Sequence, residues 1–210
     1  MAKSDISICN TALQRIGVTA TIDSLDQRIL EASVCNQVYE MTRKKVLTET
    51  PFPFSRKFAL LALSGSTPLK WKFRYVYPND CLQIRSIFPN IGSGYDPITL
   101  RRVAKEYKHP YELAVDDGDE MTILTDIEDA IIEYSIDISN PKRFNTAFES
   151  MLAWAIAGEI ALPLSRDVKY AQNAFSMYEK EKNEAHAAAL NEESNEPPQE
   201  SEFVLVRSSF

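Results

Sequence analysis

The residues of this chain whose types and spacing best suit chemistry are acids. Asp116, Asp117, Asp119 and Glu120 surround Gly118 in one short run, and clustered carboxylates are what calcium or magnesium needs. The spacing does not match an EF-hand loop. An Asp-Gly pair between two strand-like runs is a hairpin signal, so the run reads as a solvated turn. Asp126, Glu128 and Asp129 extend the acidic stretch a few residues further. Glu149 and Glu159 could serve a wall hydrolase that works by paired carboxylates, but their context reads them as the polar side of an amphipathic helix. The two histidines, His109 and His186, lie far apart in sequence, without an adjacent ligand at metal spacing. Cys9, Cys35 and Cys81 are widely spaced and contain no CxxC pair, which reads them as small core residues rather than disulfide or zinc ligands. The sequence contains no GxSxG, HExxH or P-loop. No catalytic residue, cofactor site or metal site is expected.

One further motif has a chemical reading. Trp71, Phe73, Tyr75 and Tyr77 alternate with Lys72, Arg74 and Val76, which resembles a base-stacking platform with cations nearby. Alternation along a strand, however, places the rings on one face and the basic residues on the other. The rings are therefore expected to pack into a β-core or a subunit interface.

Composition agrees with a chain that does not grip nucleic acid. Its 210 residues carry a formal net charge of -7, the wrong sign for counterion release from phosphate. Hydrophobic residues make up 44% and charged residues 25%, a globular balance with enough length for a substantial core. No apolar run approaches the roughly 20 residues of a bilayer span. Met1-Ala2-Lys3-Ser4-Asp5 lacks an apolar signal region, so a cytoplasmic location and no membrane partner are expected.

The elements that must position these residues follow from periodicity and caps. Ser4 or Asp5 caps a first helix with apolar positions Ile8, Cys9, Ala12, Leu13 and Ile16, stopped by Gly17. Ser24 and Gln27 read as a capping box opening a second helix that runs to about Glu49, with Arg28, Glu31, Gln37, Glu40, Arg43 and Lys44 on its solvated or partner-facing side. Pro51-Phe52-Pro53-Phe54 ends it. Strand patterns follow at 55–63, 71–77, 81–88, 98–103, 111–115, 121–125 and 130–138. Asn140-Pro141 opens a third helix that Leu162-Pro163 ends. Ser165 caps a fourth, with Val168, Ala171, Ala174, Phe175 and Tyr178 inward and a polar second half that projects. The expected fold is α+β. A four-helix bundle-like domain (1–50 and 140–190) carries an antiparallel β-domain (51–139) between its second and third helices, followed by an extended acidic tail (191–210).

The ordered motifs resemble a known family. They are Asn10-x-x-Leu13-x-x-Ile16-Gly17, Ile22-x-Ser24-Leu25-Asp26, Ala32-x-x-Cys35-x-x-x-Tyr39-x-x-x-Arg43, Pro51-Phe52-Pro53-Phe54 and Trp71-Lys72-Phe73-Arg74-Tyr75-x-Tyr77-Pro78-x-Asp80-Cys81-Leu82. Together they are similar to the tail tubular protein A family of short-tailed bacteriophages, over most of residues 4 to 165. The resemblance implies a virion neck protein, a head-to-tail adaptor that assembles as a dodecameric ring beneath the portal protein. The tail nozzle would bind below and DNA would pass transiently through the bore, which Asp116, Asp117, Asp119 and Glu120, with Asp126, Glu128 and Asp129, could line, their like charge preventing sticking. Phe52 stands where family members often have tryptophan. The resemblance carries over no catalytic residue. The rival reading is a virion-associated peptidoglycan hydrolase.

Two surfaces are expected to meet partners. Arg28, Glu31, Glu40, Arg43 and Lys44 form a candidate subunit interface. Phe203, Val204, Leu205, Val206, Arg207 and Phe210 form a candidate portal-docking tail, because an apolar strand-prone run on a polar Glu/Ser/Asn/Pro tether can add to a sheet edge or fill a groove.

Overall fold

The computed structural model describes residues 4–65, 68–90, 109–116 and 118–193. Its first helix, α1 (Asp5–Arg15), opens with a capping box in which Ser4 and Ser7 each satisfy the other's backbone N–H. Gly17 closes it at φ +78°, with its N–H and that of Val18 bonded back to Gln14 and Leu13. A Cβ at Gly17 would also lie 3.1 Å from the Tyr170 hydroxyl, so two constraints converge on glycine.

The second helix, α2 (Leu30–Glu49), begins later than the Ser24 capping box predicted. Ser24 Oγ instead accepts from the Asp26 N–H and Gln27 Oε1 from the Asp23 N–H. These local bonds offer the backbone turns in place of a helix. A short 3₁₀ turn, Pro53–Ser55, then feeds the strands. They are β1 (Arg56–Leu60), β2 (Phe73–Val76), β3 (Cys81–Pro89), β4 (Tyr111–Val115), β5 (Met121–Thr125) and β6 (Ala130–Ile136). The strand expected at 98–103 lies outside the described residues.

The strands form two antiparallel three-stranded sheets, ordered β1-β6-β3 and β2-β5-β4. Between them Tyr75, Ile84, Ile87, Ile123, Ile132 and Tyr134 make one core. Phe73, Tyr75 and Tyr77 belong to or pack on this core, as the alternation implied, and the Tyr75 hydroxyl donates to the Ile127 carbonyl at 2.8 Å.

Asn140 caps only a 3₁₀ turn, Pro141–Arg143, and the third helix α3 (Thr146–Ser165) takes Asn145 as its cap, whose Oδ1 accepts from the Phe148 N–H at 2.8 Å. Leu162-Pro163 does not end α3, which continues to Ser165 and stops at Arg166 with φ +56°. Proline here removes one intrahelical bond in the last turn, where helix ends already fray. Ser165 does not cap the fourth helix, α4 (Val168–Glu193). Its hydroxyl donates to the Ala161 carbonyl, while Asp167 Oδ1 accepts from the Lys169 N–H.

Helix α3 is the centre of the helical core, packing against α1, α2 and α4. By length and composition it could cross a membrane, contrary to the absence of such a run expected from sequence. Met151, Leu152, Ile156, Ala157, Ile160 and Ala161 are instead buried under the other helices. The second half of α4 does not project. Ala185 and Ala189 are buried, and Tyr178 and Lys182 both bond Glu49 at the end of α2. The helix also continues through Glu193, into the stretch expected to be linker.

Candidate interface surfaces

The joint between the two cores determines how any surface on one half is presented relative to the other. At the exit of α2, Phe52 and Phe54 meet Phe148 at ring-centre distances of 5.1 and 5.3 Å, and Phe144 meets it at 4.6 Å. The PFPF motif thus works as an aromatic clasp between α2, the first strand and α3. Arg85 reaches from β3 to donate to the carbonyls of Leu47 and Thr48, each at 3.0 Å, and Thr50 at 3.3 Å, and its Nε donates to Ser135 Oγ. Burial pulls its guanidinium pKa below the usual value, opposed by the nearby Glu133 carboxylate.

The expected subunit-interface residues do not form one surface. Arg43 is buried and pairs with Asp137, just past β6, at 2.9 Å, which removes it from the outer face. Helical spacing did place it near Glu40 and Lys44. A helix row alone, however, cannot reveal that the chain returns over Arg43 ninety-four residues later. Glu40 and Lys44 pair with each other at 2.6 Å on the exposed side. Their hydrogen bond lowers the carboxyl pKa of Glu40 and raises the ammonium pKa of Lys44. Arg28 is exposed and Glu31 half-buried, and Arg28 lies beside Asn36 and Gln37 in a shallow polar depression.

What the sequence did not single out is the apolar surface left uncovered. On the helical half, Met41 (67% exposed), Leu162 (53%), Val168 (57%) and Phe175 (61%) face outward. Val168 and Phe175 had been expected to face inward. Beneath Phe175 a groove of about 210 Å³ opens between α2, α3 and α4, lined by Ala155, Gly158, Ala171 and Tyr178, with Lys45 and Glu159 also in its wall. On the β-half, Phe58 and Leu60 on β1 and Leu113 and Val115 on β4 are exposed.

Among the described residues β4 pairs only with β5, and no described residue pairs with its other edge. The Asp116 N–H donates to the Glu120 carbonyl, so alternate residues Ala114 and Glu112 also point their amides at β5, while Leu113 and Val115 point theirs at that other edge. Leu113 lies opposite Ile123, which is opposite Tyr75, so the exposed side chains of β4 continue the face that forms the β-core.

The acidic run lies at the β4–β5 turn. Asp116 Oδ1 accepts from the N–H groups of Gly118 and Glu120 at 2.9 and 3.0 Å, and Asp119 takes φ +63°. The Asp116 carboxylate is thus engaged by its own turn. Asp117 lies outside the described residues, as do Phe203, Val204, Leu205, Val206, Arg207 and Phe210. Glu149 and Glu159 do not converge. Ten residues on one helix separate them by about 15 Å along its axis, and they line different grooves, one beside α1 and one beside α4. Paired glycosidase carboxylates stand about 5–9.5 Å apart. Cys9 and Cys35 are both buried where α1 meets α2, and hydrogen bonding to Cys35, then burial, holds the Cys9 thiol far above its usual pKa. No family model matches the chain, and no curated protein matches it.

Proposed function

We infer that this chain is a structural head-to-tail adaptor of a short-tailed phage, one copy of a ring between portal and tail nozzle through which DNA passes. The observation that carries the reading is the apolar surface left open on both halves, Met41, Leu162, Val168 and Phe175 on the helices and Phe58, Leu60, Leu113 and Val115 on the strands. Exposed apolar area forgoes about 25 cal/mol per Å² of burial, and contiguous patches of it mark contact sites. Exposed apolar side chains on both halves of one chain suit heterologous contact, in which each copy presents one surface to the copy before it and another to the copy after. Such contacts close into rings when the rotation permits.

The joint supports the same reading. An adaptor must hold its portal-facing and nozzle-facing parts in a fixed relation, and Arg85, the Arg43–Asp137 pair and the phenylalanine clasp couple the β-half to the helices. The resemblance of the ordered motifs to the tail tubular protein A family supplies the ring, the portal and the nozzle. The acidic β4–β5 turn would repel DNA if it faces the bore. Co-purification of the full-length chain with the portal tests the reading. A ring bound stoichiometrically to the portal is expected, and no association at micromolar concentrations contradicts it.

A further inference from the structure

We propose that the edge of β4 that no described residue pairs is the acceptor for the C-terminal segment Phe203–Arg207 of a second copy, which adds to it as a fourth strand. This goes beyond the adaptor reading and does not depend on a portal.

The acceptor has the two features that strand addition requires. Leu113 and Val115 direct their N–H and C=O groups away from β5, so a row of backbone donors and acceptors faces outward. Leu113 and Val115 are also 45% and 58% exposed, with Met121 beside them at 47%, on the same face as buried Ile123 and Tyr75. Natural edges of this kind are blunted by charge, proline or cover. Here the edge residues are Tyr-Glu-Leu-Ala-Val, with one charge, and that charge, Glu112, is held on the β5 side of the ladder by Trp71 Nε1 at 2.9 Å and Lys70 at 3.2 Å.

The occupant is argued from the chain beyond α4. Seventeen residues follow Glu193. The first nine, 194–202, are polar in sequence, and nine residues span up to about 30 Å when extended, while the next four, Phe203-Val204-Leu205-Val206, are strand-prone by residue type. Pairing lays Phe203 and Leu205 against Leu113 and Val115, with backbone bonds giving affinity and alternate side chains giving register. Helix α2 packs on the strands through β3 and β6, in the other sheet. The β4 edge of the same copy belongs to the sheet that does not carry this packing, which favours a neighbouring copy as the donor's acceptor. Each copy then gives one tail and accepts one, a heterologous contact that can close around a ring. Passing the tail on to a portal requires only that the portal bind it more tightly.

Sedimentation of the purified full-length chain over a concentration series tests this. Leu113→Pro removes an outward N–H without touching the β5 ladder, and Leu205→Asp spoils the donor segment. The wild-type chain is expected to associate with rising concentration, and each variant to stay monomeric. An equimolar mixture of the two variants should form dimers that grow no further, since only one tail and one edge are intact. If Leu113→Pro melts early, Leu113→Lys takes its place. A wild-type chain that is monomeric throughout, a variant that associates like wild type, or a mixture that stays monomeric would each overturn the proposal.

Discussion

The last carbonyls of any helix lack intrahelical donors, and at the end of α2 a single side chain from β3 supplies them. Because Arg85 binds the Leu47, Thr48 and Thr50 oxygens at once, Arg85→Met leaves buried acceptors unpaired. It should lower unfolding free energy by about 2–3 kcal/mol in urea titration. Arg43→Ala should cost a similar amount, about 2–3 kcal/mol, the low end for a buried pair because Asp137 remains about one-third exposed. Glu40→Ala, whose partner is solvated, should change stability by less than about 0.5 kcal/mol. Glu49 adds a pH dependence. Burial alone would raise its carboxyl pKa, but hydrogen bonds from Tyr178 and Lys182 outweigh it and leave the value below normal. A depressed carboxylate contributes stability that is present above the unfolded value and lost as pH falls through the folded one. Glu49→Gln should therefore flatten the acid limb of a stability-against-pH curve while leaving its slope near neutrality unchanged.

At the scale of elements, Phe148 sits fully buried among Phe52, Phe54 and Phe144, and Phe148→Ala should cost about 3–5 kcal/mol. Phe175→Ser, by contrast, removes an exposed ring and should leave the thermal midpoint unchanged while weakening assembly. The different fates of these two phenylalanines mark how far the sequence could be read. Helix α3 was legible because its apolar residues cover most of its circumference. In α4 the stripe Val168, Ala171, Ala174, Phe175 and Tyr178 spans a wide arc, and periodicity cannot say which part the chain itself covers and which part it leaves for a partner. Ala174 and Tyr178 turned in, Val168 and Phe175 out. Strand alternation placed Phe73, Tyr75 and Tyr77 correctly, since period two leaves only two faces to choose between, but Trp71 precedes β2 and bonds Glu112 instead of joining the core. Helix boundaries were harder. Ser24, Asn140 and Ser165 all have capping chemistry, and each uses its oxygen in a bond to a turn or a preceding carbonyl instead. The Arg43–Asp137 and Arg85 contacts were illegible for a different reason, since nothing local in a sequence reports a partner far along the chain.

For the whole molecule, two cores meet at a joint built from an arginine cap, an ion pair and an aromatic clasp, so force applied to one half is passed to the other. Large apolar side chains remain uncovered on both halves, and the charge that could hold nucleic acid is absent overall, with a net charge of -7. These features together fit a part that is completed by its neighbours and passed by DNA without being bound. The most direct test is electron microscopy of the full-length protein mixed with the portal of the same phage. The expected result is an added ring of density, continuous with the channel, on the tail-facing side of the portal. Portal particles unchanged in outline at saturating protein would contradict it.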